Sequence, residues 1–119
     1  MLPAQNRMTR STEFGATVSR GTRAGQPDLV VYCLRSDHTE DTGPRIGLVV
    51  SKAVGNAVAR HQVSRRLRHV ARAVLPELGP ADRVVIRALP GSRRAISPRL
   101  EQELRTALQR IRTRNGASS

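Results

Sequence analysis

Between Ser51 and Leu75 the chain carries Lys52, Arg60, Arg65, Arg66, Arg68 and Arg72 together with His61 and His69, and no acid. A guanidinium stays charged at any physiological pH and presents a planar fork of donors that matches phosphate oxygens, so this concentration of arginine is suited to holding a polyanion. On a helix at about 100° per residue, His61, Arg65, Arg68 and Arg72 fall on one side, and Val63, Leu67, Val70 and Val74 fall within a narrow wedge opposite. One side is made to be buried and the other to be offered. A solvated charged helix normally mixes signs in i, i+4 pairs. Here the uniform sign costs repulsion unless an anion screens it.

The other reactive side chains form no catalytic group. His38 lies in a polar loop, and His61 and His69 are two turns apart with no neighbouring Cys or acid to complete a metal site. Cys33 is centred in the apolar run Leu29–Leu34, which suits a packed thiol rather than a nucleophile. Glu77 and Asp82 flank turns, and Glu101 and Glu103 read as helix-surface acids, so no general acid and base are paired. Gly47 and Gly55-Asn56 precede the basic helix, but neither glycine-rich nucleotide loop pattern is present. Two readings of that turn stand side by side: amides near Asn56, with Lys52, hold a backbone phosphate, or the turn is a plain cap.

The whole chain points the same way. It has 119 residues, enough for one domain, with 21 Lys and Arg against 9 acids and a formal net charge of +12. Self-repulsion on this scale calls for a polyanionic partner. Phe14 and Tyr32 are the only aromatic residues, so the core must be aliphatic and any stacking surface must use those two rings. The single Cys33 cannot form an internal disulfide, there is no apolar run long enough to span a membrane, and the N-terminus lacks a signal-like segment. These features predict a soluble, cytoplasmic protein.

The positioning elements follow in order. Residues 1–8 are expected to be a flexible N-terminal arm. Ser11 or Thr12 caps a short helix bearing Phe14 and Val18 on one face, which stops at Gly21, a suitable C′ residue. Residues 22–27 form a turn-rich link able to hold a short strand. Leu29–Leu34 is a strand with both faces apolar. A polar loop, Ser36 to Pro44, reads as a hairpin connection to a second strand, Arg45–Ser51, paired antiparallel with the first. Asn56 caps the basic helix, which ends near Leu75-Pro76. Arg83–Leu89 is a further strand. Ser97-Pro98 opens a last helix with the stripe Leu100, Leu104, Leu108 and Ile111, followed by a disordered basic tail over 112–119. The mixture predicts an α+β sandwich, a small sheet covered on one face by helices.

The block Ser51-Lys52-Ala53-Val54-Gly55-Asn56-Ala57-Val58-Ala59-Arg60, followed by Arg65-Arg66-Leu67-Arg68, resembles the signature of the bacterial ribonuclease P protein component. Arg7-Met8 to Phe14, Gly21-Thr22, Tyr32, Arg45-Ile46-Gly47-Leu48 and Val84-Val85-Ile86 fall in that family's order. The S-K-x-x-G-N-A-V-x-R core is the specific part. The resemblance implies an αβββαβα two-layer sandwich with a four-stranded sheet and a central basic helix (ribosomal protein S5 domain 2-like), crossing over with an unusual left hand. It also implies an accessory subunit of an RNA enzyme that removes the 5′ leader of precursor tRNA. Catalysis and Mg2+ would belong to the RNA, with no cofactor bound by the protein alone. Lys52, Asn56, Arg60, His61, Arg65, Arg66, Arg68 and Arg72 would contact the catalytic RNA, and Phe14 and Tyr32 would line a leader groove between the first helix and the sheet. Two positions depart from the pattern: the family's Arg-Asn-Arg triplet reads Arg60-His61-Gln62, and a second Phe reads Val18. A ribosomal protein would fit the charge as well, and a small-molecule kinase is the enzymatic alternative that related folds allow.

Overall fold

The computed structural model describes residues 2–35 and 43–116. Three helices, α1 (Ser11–Arg20), α2 (Ala57–Val74) and α3 (Ser97–Gly116), accompany four strands, β1 (Thr22–Gly25), β2 (Leu29–Arg35), β3 (Arg45–Val49) and β4 (Asp82–Ala88). The order αβββαβα is the expected one. The strands form one sheet in the order β1-β2-β4-β3.

One pairing differs from the sequence expectation. β2 and β3 are not hairpin partners, because β4 inserts between them, antiparallel to β2 (Val31 opposite Ile86) and parallel to β3 (Leu48 opposite Ile86). The physical reason lies in the burial of β4. Val84, Val85 and Ile86 are each at most 1% exposed, which requires a strand flanked on both edges and covered on both faces. β3, with a glycine at its centre, takes the edge. The polar segment 36–42, including His38, lies outside the described residues.

Both faces of the sheet are covered. Leu29, Val31, Ile46, Val84 and Ile86 pack against Val63, Leu67, Val70 and Val74 of α2 and the Leu100, Leu104, Leu108 and Ile111 stripe of α3. On the other face Met8, Val30, Tyr32 and Val85 form a smaller cluster that Phe14 of α1 joins. The expectation of a sheet covered on one face is therefore corrected. Successive residues of the apolar run Leu29–Leu34 in β2 and of Val84-Val85-Ile86 in β4 point to opposite faces and feed two cores.

The termini are also more ordered than expected. Leu2 and Met8 are buried, Met8 N–H donates to Ile46 O at 3.0 Å, and Asn6 Nδ2 donates to Pro44 O at 2.8 Å. Residues 2–8 are thus an extension of the β3 edge rather than a flexible arm, since the open edge offers them hydrogen bonds and two apolar recesses. At the other end α3 runs to Gly116, where a disordered tail from 112 was expected. Arg112 donates to Glu77 O at 2.9 Å and Arg114 to Arg23 O, so the last turns are tied down. Residues 117–119 lie outside the described set.

Local details follow from the caps. α1 starts at Ser11 without a side-chain cap, and Gly21 closes it with φ −76°, outside the left-handed region. A glycine is needed there for space, because a Cβ would run into Thr17 O and approach Cys33 O to 2.9 Å. α2 is capped as expected, with Asn56 Oδ1 accepting from Ala59 N–H at 2.9 Å.

Candidate nucleic-acid interface

The charge pattern of α2 gains its meaning from where the acids go. The six described acids all pair with arginines outside α2. Glu13 holds Arg83 at 3.2 Å and Arg45 at 3.5 Å. Asp28 and Glu103 share Arg99 at 2.9 and 3.3 Å. Glu77 and Glu101 share Arg105, and Asp82 approaches Arg35 at 3.9 Å. The exposed pairs at Arg35 and Arg105 add little stability, whereas Arg83, Asp28 and Glu103 are buried and need their partners. Their significance is that, among the described residues, no carboxylate is bonded to a cation of α2, whose repulsion is left for an outside anion to relieve.

Along α2 the structure sorts the predicted contact residues. His61, Arg65 and Arg72 stand exposed, opposite the buried Val63, Leu67, Val70 and Val74. Lys52 is exposed on the turn before the helix, and Asn56 is its cap. Arg60 is half-buried, and its Nε has no hydrogen-bond partner. Arg66 is different in kind. One terminal nitrogen, Nη1, donates to Arg93 O at 3.2 Å and Ala95 O at 3.4 Å, which ties the side chain to the turn before α3. Helical periodicity puts Arg66 outside the row of His61, Arg65, Arg68 and Arg72 and next to the buried wedge, and only the tertiary placement of residues 90–95 gives it those carbonyls.

The turn into α2 is built around Gly55, whose φ of +155° few side chains adopt and whose Cβ would sit 2.9 Å from Ala59 Cβ. This close approach explains why glycine and asparagine stand together in the motif: one makes the bend and the next caps the helix.

The two rings have unequal positions. Phe14 is half-buried and lies over Gly47 so closely that a Cβ there would overlap its ring. Tyr32 is only 8% exposed, set between strands opposite Val85, and so offers little stacking surface. Val18, one turn beyond Phe14, is exposed. A cavity of about 170 Å³ opens at the β3 edge, lined by Leu2, Arg7, Met8, Phe14, Ile46, Leu48 and Arg68. It brings the Phe14 ring and the flank of the basic helix to one place, which their separation in sequence concealed. Arg7, absent from the expected site residues, stands at this cavity with its Nε donating to Leu2 O at 3.1 Å. Its signal was its place in the Arg7-Met8 to Phe14 segment.

The remaining reactive groups are held in structural roles. Burial, then the nearby Asp82 carboxylate, pushes the Cys33 thiol up to about 11, so it remains protonated at neutral pH. Glu103 is raised above the ordinary glutamate value chiefly by burial and next by Asp28, while the Asp28 N–H and Arg99 work against the rise. No group of three or more His, Cys, Asp or Glu is placed to hold a metal among the described residues.

A sheet sandwiched between helices, presenting an acid-free arginine face, defines an α+β polyanion-binding protein. The family model for ribonuclease P matches residues 2–112, and the chain belongs to that family. The ribonuclease P protein component of Mycolicibacterium vanbaalenii is 78% identical over 119 residues, covering all of both chains. That of Mycobacterium avium is 66% identical over 113 residues, covering 93% of this chain and 95% of its own. In fold the chain resembles the RNase P protein of Staphylococcus aureus, with TM-score 0.74 and 22% identity over 87% of this chain and 93% of that one. It also resembles the RNase P protein of Thermotoga maritima, with TM-score 0.71 and 18% identity over 90% and 96%. The protein is a component of the ribonuclease P holoenzyme and serves tRNA processing. None of these likenesses supports the ribosomal-protein alternative.

Proposed function

We propose that this chain is the non-catalytic subunit of the holoenzyme, binding the catalytic RNA through α2 and the 5′ leader of precursor tRNA through the groove at Phe14. The observation that carries the reading is the pairing of all six described acids away from α2, which leaves Arg65, Arg68, Arg72 and His61 without a counter-ion among the described residues. Lys52 and Asn56 sit at the end of α2 where the helix dipole also favours an anion. Phe14 and Arg68 meet at the β3-edge cavity, a combination of ring and guanidinium that grips a strand of variable sequence by stacking and phosphate contact. Magnesium is assigned to the RNA, because it prefers hard oxygen ligands and each described carboxylate is already engaged by an arginine. The site of action is the cytoplasm, where precursor tRNA and a reduced Cys33 would both be found.

The test is multiple-turnover cleavage of precursor tRNA at low magnesium by bacterial ribonuclease P RNA alone, by this protein alone and by both. The reading expects cleavage by the RNA, faster turnover with protein added, and none from the protein alone. No improvement on adding the protein would remove the accessory role. Cleavage by the protein alone would move catalysis into this chain.

A further inference from the structure

The turn between β4 and α3 carries a second pair of guanidinium groups beside the basic helix. Residues Pro90–Arg93 form a 3-10 turn, and Arg93 and Arg94 are exposed on it. The turn is rigidly seated. Ser92 is fully buried, its Oγ donating to Leu89 O at 2.6 Å, and Ala95 is buried on the other side of the pair. Backbone bonds from Arg94 N–H to Gly91 O and from Ala95 N–H to Ser92 O, both 3.2 Å, close the loop on itself. Arg66 then ties it to α2 through the Arg93 and Ala95 carbonyls.

The side chain of Arg93 runs along the turn that enters α2: its Cδ and one terminal nitrogen lie 3.6 Å from where a Gly55 Cβ would be. Neither Arg93 nor Arg94 has an ion-pair partner among the described residues. On α2 the exposed Gln62 lies one turn before Arg66, on the same flank, and it occupies a position where the family pattern has arginine. The positive surface of α2 therefore loses a charge at 62 and meets a fixed pair of charges on the adjoining turn.

We propose that Arg93 and Arg94 are RNA-contacting residues, extending the face of α2 across the 90–93 turn to take backbone phosphates of the same bound RNA. The inference rests on the reading of α2 as the RNA-binding face. Fixed anchoring matters here, because the backbone that carries both guanidinium groups need not be ordered when they close on phosphates, which leaves only the side chains to be immobilised.

The experiment measures binding of full-length protein to a bacterial ribonuclease P RNA transcribed in vitro, across a salt series. Each lost phosphate contact flattens the log–log salt slope by roughly 0.9 on duplex and 0.7 on single strands. Arg93→Gln with Arg94→Gln is expected to flatten it by about 1.4 to 1.8, so between about 0.05 and 0.2 M salt the parent loses about 7- to 12-fold more affinity than the variant. The Lys pair at both positions should keep the parent slope, and Arg110→Gln, removing an exposed charge of α3, should leave it unchanged. Since the turn is held by backbone groups and Ser92, thermal unfolding should not move with either pair. A parent slope in the Gln pair, or an equal flattening by Arg110→Gln, overturns the proposal. Arg65→Gln with Arg68→Gln separates the two levels: a flat response there sinks the α2 reading itself, and a response there without one at 93 and 94 sinks only the extension.

Discussion

Gly47→Ala probes how Phe14 is seated on the sheet. Gly47 has no unusual backbone angle, so alanine fits the strand, and the difficulty is entirely one of space. The new Cβ would overlap the Phe14 ring, standing 2.6 Å from its Cζ, and would come within 3.1 Å of Met8 Sδ. The thioether can swing aside. The ring must retreat by about 1 Å to reach ordinary carbon contact, in a cluster that already includes Met8, Tyr32 and Val85. Overpacking of this size costs about 1–3 kcal/mol. Taking about 2 kcal/mol and a urea m-value near 2 kcal/mol/M, the midpoint falls by about 1 M. The decisive assay is a double-mutant cycle by urea unfolding. In a Phe14→Ala background the obstacle is gone, and Gly47→Ala should be neutral or mildly stabilising, since alanine restricts the unfolded chain. The coupling should then equal most of the single-mutant cost. Equal costs in both backgrounds, with coupling below about 0.5 kcal/mol, would refute the packing of Phe14 on Gly47.

Three further outcomes are expected. Arg66→Ala should lower stability by about 1–2 kcal/mol, through loss of two charged hydrogen bonds, yet leave the salt slope of RNA binding at its parent value. A flattened slope with unchanged melting would reverse that assignment. Glu103→Gln should change how stability depends on pH. Because burial raises the folded Glu103 value above 4.5, the native state binds more protons, and the parent loses stability as pH rises from the ordinary glutamate value through the raised one. The variant lacks that loss, so its stability relative to the parent should improve as pH rises through this window, read by urea midpoints. An unchanged difference across the window would show that the carboxyl is not perturbed. Phe14→Ala should weaken binding of precursor tRNA more than mature tRNA in filter or anisotropy assays, and equal losses would take Phe14 out of the leader groove.

Much of this protein is written locally. The period of Val63, Leu67, Val70 and Val74 against His61, Arg65, Arg68 and Arg72 determined α2 and which side it buries, because helix periodicity acts over neighbouring residues. Asn56 announced its cap by residue type alone. The acid-free run and the S-K-x-x-G-N-A-V-x-R core were enough to point to the family, since a charge imbalance and a specific short motif survive without coordinates.

Tertiary structure decided what depends on residues far apart in the chain. The place of β4 between β2 and β3 follows from burial on both sides, a property that two neighbouring apolar strands in sequence do not reveal. The docking of residues 2–8 needs a free β3 edge, which exists only once the strand order is set. Arg65 and Arg66 are adjacent and chemically identical, yet one stands exposed and the other turns one terminal nitrogen to Arg93 and Ala95, because those carbonyls arrive from 27 and 29 residues away. The sequence by itself determined that this protein carries an arginine helix without an acid. Which of those arginines turn toward the protein's own carbonyls was decided by the fold, because the carbonyls come from segments distant in the chain.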